Sequence, residues 1–360
     1  MPVCKPRLPP AGEILPYLRE IDASRWYSNH GPLARRFEAR LAAHVQAHDD
    51  EQVAVASNAT AALTATLMAL GIPAGSLCMV PAWTFAASGH AIVGAGLVPW
   101  LVDVDADGML RAAAASRFAA AAPRPLGAIV AVSPFGSPVA TAEWDAFTRV
   151  TGLPVVLDAA AAFDVVRASP VPTVVSLHAT KVLGIGEGAF VACTDAALVH
   201  RIRARFNFGF VDSREARSAA INAKLPEYSA AVGLAALDEW PATRAAFERV
   251  ARAYLAAFES VPAVRFAAGY GTEWVSATAI VEVPTARLET VEDALASHGI
   301  ATRRWWGDGL ARQRAFAGYP SLPLPVTDAL AAVTLGLPCS PDLSLAAIER
   351  VAELCRTACG

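Results

Sequence analysis

The stretch that decides the fold runs from Thr173 to Phe190 and reads TVVSLHATKVLGIGEGAF. Its first five residues, and the five from Ala189 to Cys193, have the continuous apolar pattern of strands buried on both faces. Between them stand Lys181 and three alternating glycines at 184, 186 and 188. No helix opens from these glycines, so the pattern does not indicate a dinucleotide fingerprint. It predicts turn glycines that let the backbone approach the lysine.

Lysine is scarce in this chain. Of 30 basic residues, only Lys5, Lys181 and Lys224 are lysines, and the rest are arginines. Arginine cannot be deprotonated in proteins, whereas a desolvated lysine amine can be, and it can then condense with an aldehyde. A lysine between two buried strands therefore predicts a covalent anchor for a carbonyl cofactor at Lys181.

Strand and helix patterns alternate on either side of this stretch. Short apolar runs predict strands at 53–57, 77–81, 98–104, 128–132, 155–157, 174–177 and 189–193. Helical patterns fill the gaps at 60–70, 85–94, 111–121, 142–150 and 196–206, after two N-terminal helices at 11–19 and 33–48. This alternation predicts an α/β fold with a mostly parallel seven-stranded sheet and crossover helices.

A long helical pattern then leads into the C-terminal part. It runs from residue 226 to about 259, with a possible break at Pro241. Beyond it we predict a strand at 276–283 and helices at 288–298, 328–335 and 345–358. The chain is therefore expected to form a large domain over residues 1–240, including the N-terminal entry segment, and a smaller α/β domain over residues 241–360.

The composition excludes several classes of protein. The net charge of −3 gives no reason to expect a nucleic acid or an anionic membrane as a partner. Residues 52–102 lack Asp, Glu, Lys and Arg, but Pro73, Pro81 and Pro99 cut this run into pieces too short to span a bilayer. The six cysteines form no CxxC pair and no histidine lies near Cys355 and Cys359, so no metal site is predicted. Reduced thiols in a cytoplasmic protein are the expectation.

Asp158 is the candidate partner for a pyridine nitrogen. It ends an apolar strand, and four alanines follow it at 159–162, beside which a flat ring can lie. A carboxylate facing a pyridine nitrogen keeps that nitrogen protonated, which makes the ring of pyridoxal phosphate (PLP) an electron sink. The alternative is an aspartate that caps the following helix.

A phosphate site is predicted where the strand at 53–57 meets the next helix. Backbone N–H groups at a helix N-terminus bind phosphate, so Ala59 and Thr60 are candidates, with Ser176 as a further hydroxyl. Phe85 is a candidate face for ring stacking. The alternatives are an ordinary helix cap and an ordinary core aromatic.

Taken in order, these motifs resemble the DegT/DnrJ/EryC1/StrS family of PLP-dependent sugar aminotransferases, which have fold type I of the PLP-dependent transferases. The matching pieces span most of the chain. They are 31–32, 37–38, 57–63, 81–85, 102–105, 158–160, 176–181, 184–188, 222–231, 302–306 and 322–327.

The resemblance implies a role for each site residue. Lys181 would form the Schiff base with PLP and Asp158 would pair with the ring nitrogen. Ala59, Thr60 and Ser176 would hold the phosphate, and Phe85 would stack on the ring. Asn222 would reach the phosphate from the neighbouring subunit, which implies a homodimer with shared sites. Dehydratases of the family carry histidine in place of this lysine, so Lys181 favours transamination.

Two departures from the family pattern are present. Ala161 stands where the family usually has Gln or His near the phenolic oxygen of the cofactor, and Ala59 replaces the usual glycine of the phosphate cradle. The second is mild because only a backbone N–H is needed. Ala161, in contrast, leaves the phenolic oxygen of the cofactor without an assigned partner.

The resemblance implies transfer of an amino group from an amino acid, L-glutamate, to a keto group of a nucleotide-linked deoxysugar. Arginines suit the diphosphate of such a substrate, and aromatic residues suit its base or sugar. The candidate substrate contacts are Tyr27, Asn29, Arg303, Arg304 and Trp305. The alternative for them is a solvated arginine pair beside core aromatics. The alternative function, motivated by Ala161, is a PLP-fold binding or regulatory protein without turnover.

Overall fold

The computed structural model describes all 360 residues. Seven strands form the central sheet: β1 (Val53–Ala56), β2 (Leu77–Pro81), β3 (Val98–Val102), β4 (Leu126–Val132), β5 (Val155–Asp158), β6 (Thr173–Ser176) and β7 (Ala189–Ala192). Their spatial order is β1-β7-β6-β5-β4-β2-β3. Only β7 runs antiparallel to its neighbours, so the predicted mostly parallel seven-stranded sheet is confirmed.

Twelve α-helices surround this sheet and a second, smaller one. They are α1 (Ala11–Ser24), α2 (Pro32–His44), α3 (Ala59–Ala69), α4 (Ala86–Gly94), α5 (Ala112–Ala120), α6 (Thr141–Thr151), α7 (Ala196–Phe206), α8 (Glu227–Asp238), α9 (Trp240–Phe258), α10 (Thr285–Ala296), α11 (Pro325–Ala331) and α12 (Leu345–Cys359). The possible break at Pro241 is present: α8 ends at Asp238, and Pro241 lies in the first turn of α9, where its missing N–H costs no helical hydrogen bond.

The second sheet has three antiparallel strands in the order β10-β9-β8: β8 (Arg265–Phe266), β9 (Ala279–Glu282) and β10 (Thr334–Leu337). Here the predicted helix at 328–335 is wrong at its C-terminal end. The helix stops at Ala331, and the chain turns into β10 because Thr334 to Leu337 pair with Glu282 to Ala279. The residues of this strand are buried, and the long-range pairing decides that they form a strand.

The N-terminal helices are fixed by contacts distant in sequence. Glu227, at the start of α8, is 1% exposed and accepts hydrogen bonds from the backbone N–H groups of Leu33 (2.7 Å) and Ala34 (2.9 Å) at the start of α2. A carboxylate there accepts hydrogen bonds from free N–H groups and interacts favourably with the positive end of the helix dipole. The first residues of the chain pair instead with the C-terminal part, where Cys339 N–H donates to Val3. The division into domains at residue 240 stays a prediction.

The uncharged run at 52–102 contains β1, β2 and β3 and the helices between them, and its strands are almost wholly buried. None of the helices combines the length and the apolar character that crossing a membrane requires.

Candidate active site

Lys181 lies in the loop that joins the antiparallel strands β6 and β7. The loop is tight: the Lys181 N–H donates to the His178 carbonyl (2.8 Å), and a Cβ on Gly184 would come within 2.6 Å of the Ala179 carbonyl oxygen. Gly186 has φ +95°, a conformation that favours glycine. These glycines let the loop fold back beside the carboxyl end of the sheet, with Lys181 half-buried in it.

Asp158 ends β5, and β5 is the neighbour of β6 in the sheet. It is 5% exposed; its Oδ2 accepts from Ser88 Oγ (2.6 Å) and its Oδ1 from the Ala160 N–H (3.2 Å). Burial raises the pKa of Asp158, and these two hydrogen bonds and the charge of Lys181 oppose that rise. Burial likewise lowers the pKa of Lys181, against the charge of Asp158. The structure therefore brings the amine and the carboxylate into one desolvated region.

Free donors suited to a phosphate lie beside them. The N-cap residue Asn58 accepts the N–H of Ala61 (2.9 Å), whereas the N–H groups of Ala59 and Thr60 have no partner within α3. Ser176, at the end of β6, is 6% exposed; its oxygen accepts the His178 N–H (3.2 Å), which leaves its own proton free. Helix α3 packs against β6, so these free donors lie on neighbouring elements, and their binding of a phosphate stays a prediction.

Two other predicted cofactor contacts are exposed. Phe85 is the N-cap residue of α4 and is 59% exposed, although it is a large aromatic. Asn222 is exposed, and its side-chain oxygen accepts from Lys224 (2.7 Å), whose amine lies over the ring of Phe208 at 4.3 Å. Stacking by Phe85 and contact by Asn222 across a dimer stay predictions.

The predicted substrate contacts lie in two places. Tyr27 stacks on Tyr228 at 6.2 Å, and Asn29 follows in a loop with a φ of +62°. In the C-terminal part, the Arg303 guanidinium lies 4.7 Å from the ring centre of Trp305, and Arg304 forms an ion pair with Glu292 of α10. A substrate diphosphate would have to compete with Glu292 for Arg304.

Residues that the sequence reasoning missed also lie near Asp158. Thr84 and Ser88 form a chain of hydrogen bonds that ends on this carboxylate. The sequence signal that could have identified them is their spacing of four residues in PAWTFAAS.

Ala161, which replaces the usual Gln or His, lies against Gly136, where an added Cβ would approach the Ala161 carbonyl oxygen to 2.7 Å. Trp306 stacks on Phe135 at 4.0 Å in the same loop region.

The chain is similar to known aminotransferases over most of its length. The model of the DegT/DnrJ/EryC1/StrS aminotransferase family matches residues 11–356. A dTDP-4-amino-4,6-dideoxy-D-glucose transaminase from Shigella dysenteriae is 31% identical over 243 residues, which are 66% of this chain and 64% of that protein. The match thus covers less than two thirds of that relative's length.

Two solved structures have the same fold. A Bacillus cereus protein assigned as a PLP-dependent aminotransferase superposes with a TM-score of 0.92 at 25% identity, covering 99% of both chains. DesI, solved in the presence of its TDP-sugar product, has a TM-score of 0.88 at 32% identity, covering 99% of this chain and 91% of DesI. The fold and the residues around Lys181 fit PLP as the cofactor. The resemblance in the sequence is confirmed: this chain belongs to the DegT/DnrJ/EryC1/StrS aminotransferase family.

Proposed function

We propose that this protein is a PLP-dependent aminotransferase that moves an amino group from L-glutamate to a keto group of a nucleotide-linked deoxysugar. One observation carries the proposal: Lys181, on the loop after β6, and the buried carboxylate of Asp158, at the end of β5, follow adjacent strands of the sheet, and α3, whose first N–H groups are free, packs against both strands. A desolvated amine, an acid and an anion site are the three parts that PLP chemistry needs.

Each residue has a distinct task. PLP, when bound, supplies an electron sink for the bonds at the amino carbon. Lys181 Nζ, whose pKa burial lowers, would hold the cofactor through its aldehyde; once freed by the amino donor, the same atom would act as base towards the donor's α-carbon and as acid towards the cofactor's C4′. Asp158 holds the proton on the ring nitrogen. Ala59, Thr60 and Ser176 bind the phosphate.

The proposed substrate class rests on the relatives and on the predicted substrate contacts. DesI was solved in the presence of its TDP-sugar product, and the Shigella relative is named for a dTDP-linked amino sugar. In this chain Arg303 would meet the diphosphate, and Tyr27, Asn29 and Trp305 would contact the base and sugar. We also propose a cytoplasmic homodimer in which Asn222 completes the neighbouring subunit's phosphate site.

The test uses the purified full chain with PLP. We expect a visible absorbance band, formation of 2-oxoglutarate from L-glutamate, and amination of a dTDP-linked keto-sugar. Lys181→Ala should abolish all three. Lys5→Ala is the matched control, because the Lys5 side chain is mostly exposed and pairs with Asp342. Full turnover by Lys181→Ala would show that the mechanism is wrong.

A binding or regulatory protein without turnover is the second candidate. The observation that favours it is Ala161, which offers no polar group where the family usually has Gln or His. A protein that binds PLP but releases no 2-oxoglutarate-type keto acid from any amino donor would support this second candidate.

A further inference from the structure

A buried chain of hydroxyl groups ends on the carboxylate of Asp158. Thr84 Oγ1 lies 2.8 Å from Ser88 Oγ, and Ser88 Oγ lies 2.6 Å from Asp158 Oδ2. Thr84 is 1% exposed and Ser88 is fully buried. Thr84 stands just before the N-cap residue Phe85, whereas Ser88 lies in the first turn of α4. The hydroxyl chain therefore joins the segment that enters α4 to the helix itself.

The direction of these hydrogen bonds follows from counting protons. An ionised carboxylate only accepts, so Ser88 gives its single proton to Asp158. The Ser88 oxygen must then accept from Thr84. A neutral acid with its proton on Oδ1 would keep the same two bonds, but a hydroxyl binds a charged acceptor more strongly than a neutral one. The bond from Ser88 therefore stabilises the ionised form of Asp158 relative to the neutral acid.

The same bonds leave one carboxylate oxygen available. Oδ2 is held by the short bond from Ser88, whereas Oδ1 accepts only the longer bond from the Ala160 N–H. Burial favours the neutral acid, and the bond from Ser88 is the largest influence against it, ahead of the charge of Lys181 on the loop after β6.

We propose that Ser88 and Thr84 are positioning residues, which keep Asp158 ionised and aim its Oδ1 at the ring nitrogen of the cofactor. The part that concerns the ring rests on the proposed function, whereas the ionisation of Asp158 is a property of the chain itself. A merely structural pair of hydroxyls would stabilise the protein and leave the titration of Asp158 unchanged.

The experiment compares Ser88→Ala and Thr84→Val with a matched control, Thr66→Val. Thr66 is fully buried, and its hydroxyl donates only to the Ala62 carbonyl within α3 (2.7 Å). In the full chain without PLP, carbon-13 NMR of labelled aspartate, assigned with Asp158→Asn, gives the carboxyl titration. We expect the pKa of Asp158 to rise by about one unit in Ser88→Ala, by less in Thr84→Val, and not in the control.

The second readout uses nitrogen-15-labelled PLP bound to the same proteins. In Ser88→Ala the ring nitrogen resonance should move towards the unprotonated position, and the PLP dissociation constant should rise by about tenfold. If Ser88→Ala fails to fold, Thr84→Val decides, because it keeps the bond from Ser88 to Asp158 and changes only the donor behind it.

The outcomes separate the two proposals. Unchanged carboxyl titration and unchanged ring nitrogen in both variants would overturn the positioning role, and so would a loss of stability without either shift. A wild-type chain that binds no PLP would overturn the proposed function and with it the role towards the ring. The carboxyl titration would still decide whether the hydroxyl chain sets the charge of Asp158.

Discussion

Asp103 accepts two hydrogen bonds from Thr327, one from its backbone N–H (2.8 Å) and one from its hydroxyl (2.7 Å). It also accepts the N–H of Val326 (2.8 Å). Asp103 follows β3 of the central sheet, and Thr327 lies in the first turn of α11. One carboxylate therefore caps this helix and ties it to the sheet.

Replacing this carboxylate should loosen the C-terminal part from the sheet. We expect Asp103→Ala to lower the free energy of unfolding by about 2–3 kcal/mol, because three donors lose a charged acceptor. The urea midpoint measures the loss. Asp107→Ala, at a mostly exposed side chain that pairs with Arg111, is the control and should change little. Equal midpoints for the two variants would contradict the prediction.

Glu38 is the centre of a buried charged network. It is 3% exposed and accepts from His30 Nε2 (2.6 Å), the Val55 N–H (2.9 Å) and Arg203 Nη2 (3.2 Å). Glu38→Gln leaves Arg203 without its carboxylate, and we expect a loss of about 3–5 kcal/mol in unfolding experiments. The double variant Glu38→Gln/Arg203→Gln should lose less free energy of unfolding than the sum of the losses in the two single variants.

Additive effects would show that Glu38 and Arg203 are not coupled. The exposed pair of Glu20 and Arg36 provides the comparison, since both side chains are about half exposed. Glu20→Gln should change the urea midpoint little, because water screens such pairs.

Gly233 allows α8 to pack closely on α2. A Cβ at this position would lie 2.5 Å from the ring of Phe37. Gly233→Ala should therefore lower the free energy of unfolding by about 1–3 kcal/mol, although alanine is the better helix former. Adding Phe37→Leu should restore part of the loss. Gly12→Ala, in α1 with open space around it, should instead be neutral or stabilising.

The rate of PLP incorporation should reach its plateau below the ordinary lysine pKa of 10.5, because burial lowers the pKa of Lys181. Only the neutral amine attacks an aldehyde, so the rate rises with pH until Lys181 has lost its proton. The charge of Asp158 raises the pKa of Lys181, so Asp158→Asn should move the midpoint to lower pH. Stopped-flow absorbance over a pH series measures it, and a midpoint that moves to higher pH would contradict the assignment.

The central sheet was predictable because its strands are short apolar runs separated by helical patterns, and such runs have one stable arrangement when helices cover both faces. The helix at 328–335 was partly wrong because Thr334 to Leu337 pair with a strand about fifty residues earlier. Local pattern does not contain that information. The motif pieces around Asp103 and Thr327 were visible in the sequence, but their mutual hydrogen bonds were not.

The sequence by itself determined which chemistry is available. A rare lysine after one buried strand and an aspartate at the end of another are local facts of residue type and spacing. Only the tertiary structure decided the state of these groups. Their pKa values depend on burial and on partners such as Ser88, which lies 70 positions from Asp158 in the sequence. The packing of α4 against the sheet brings such partners into contact.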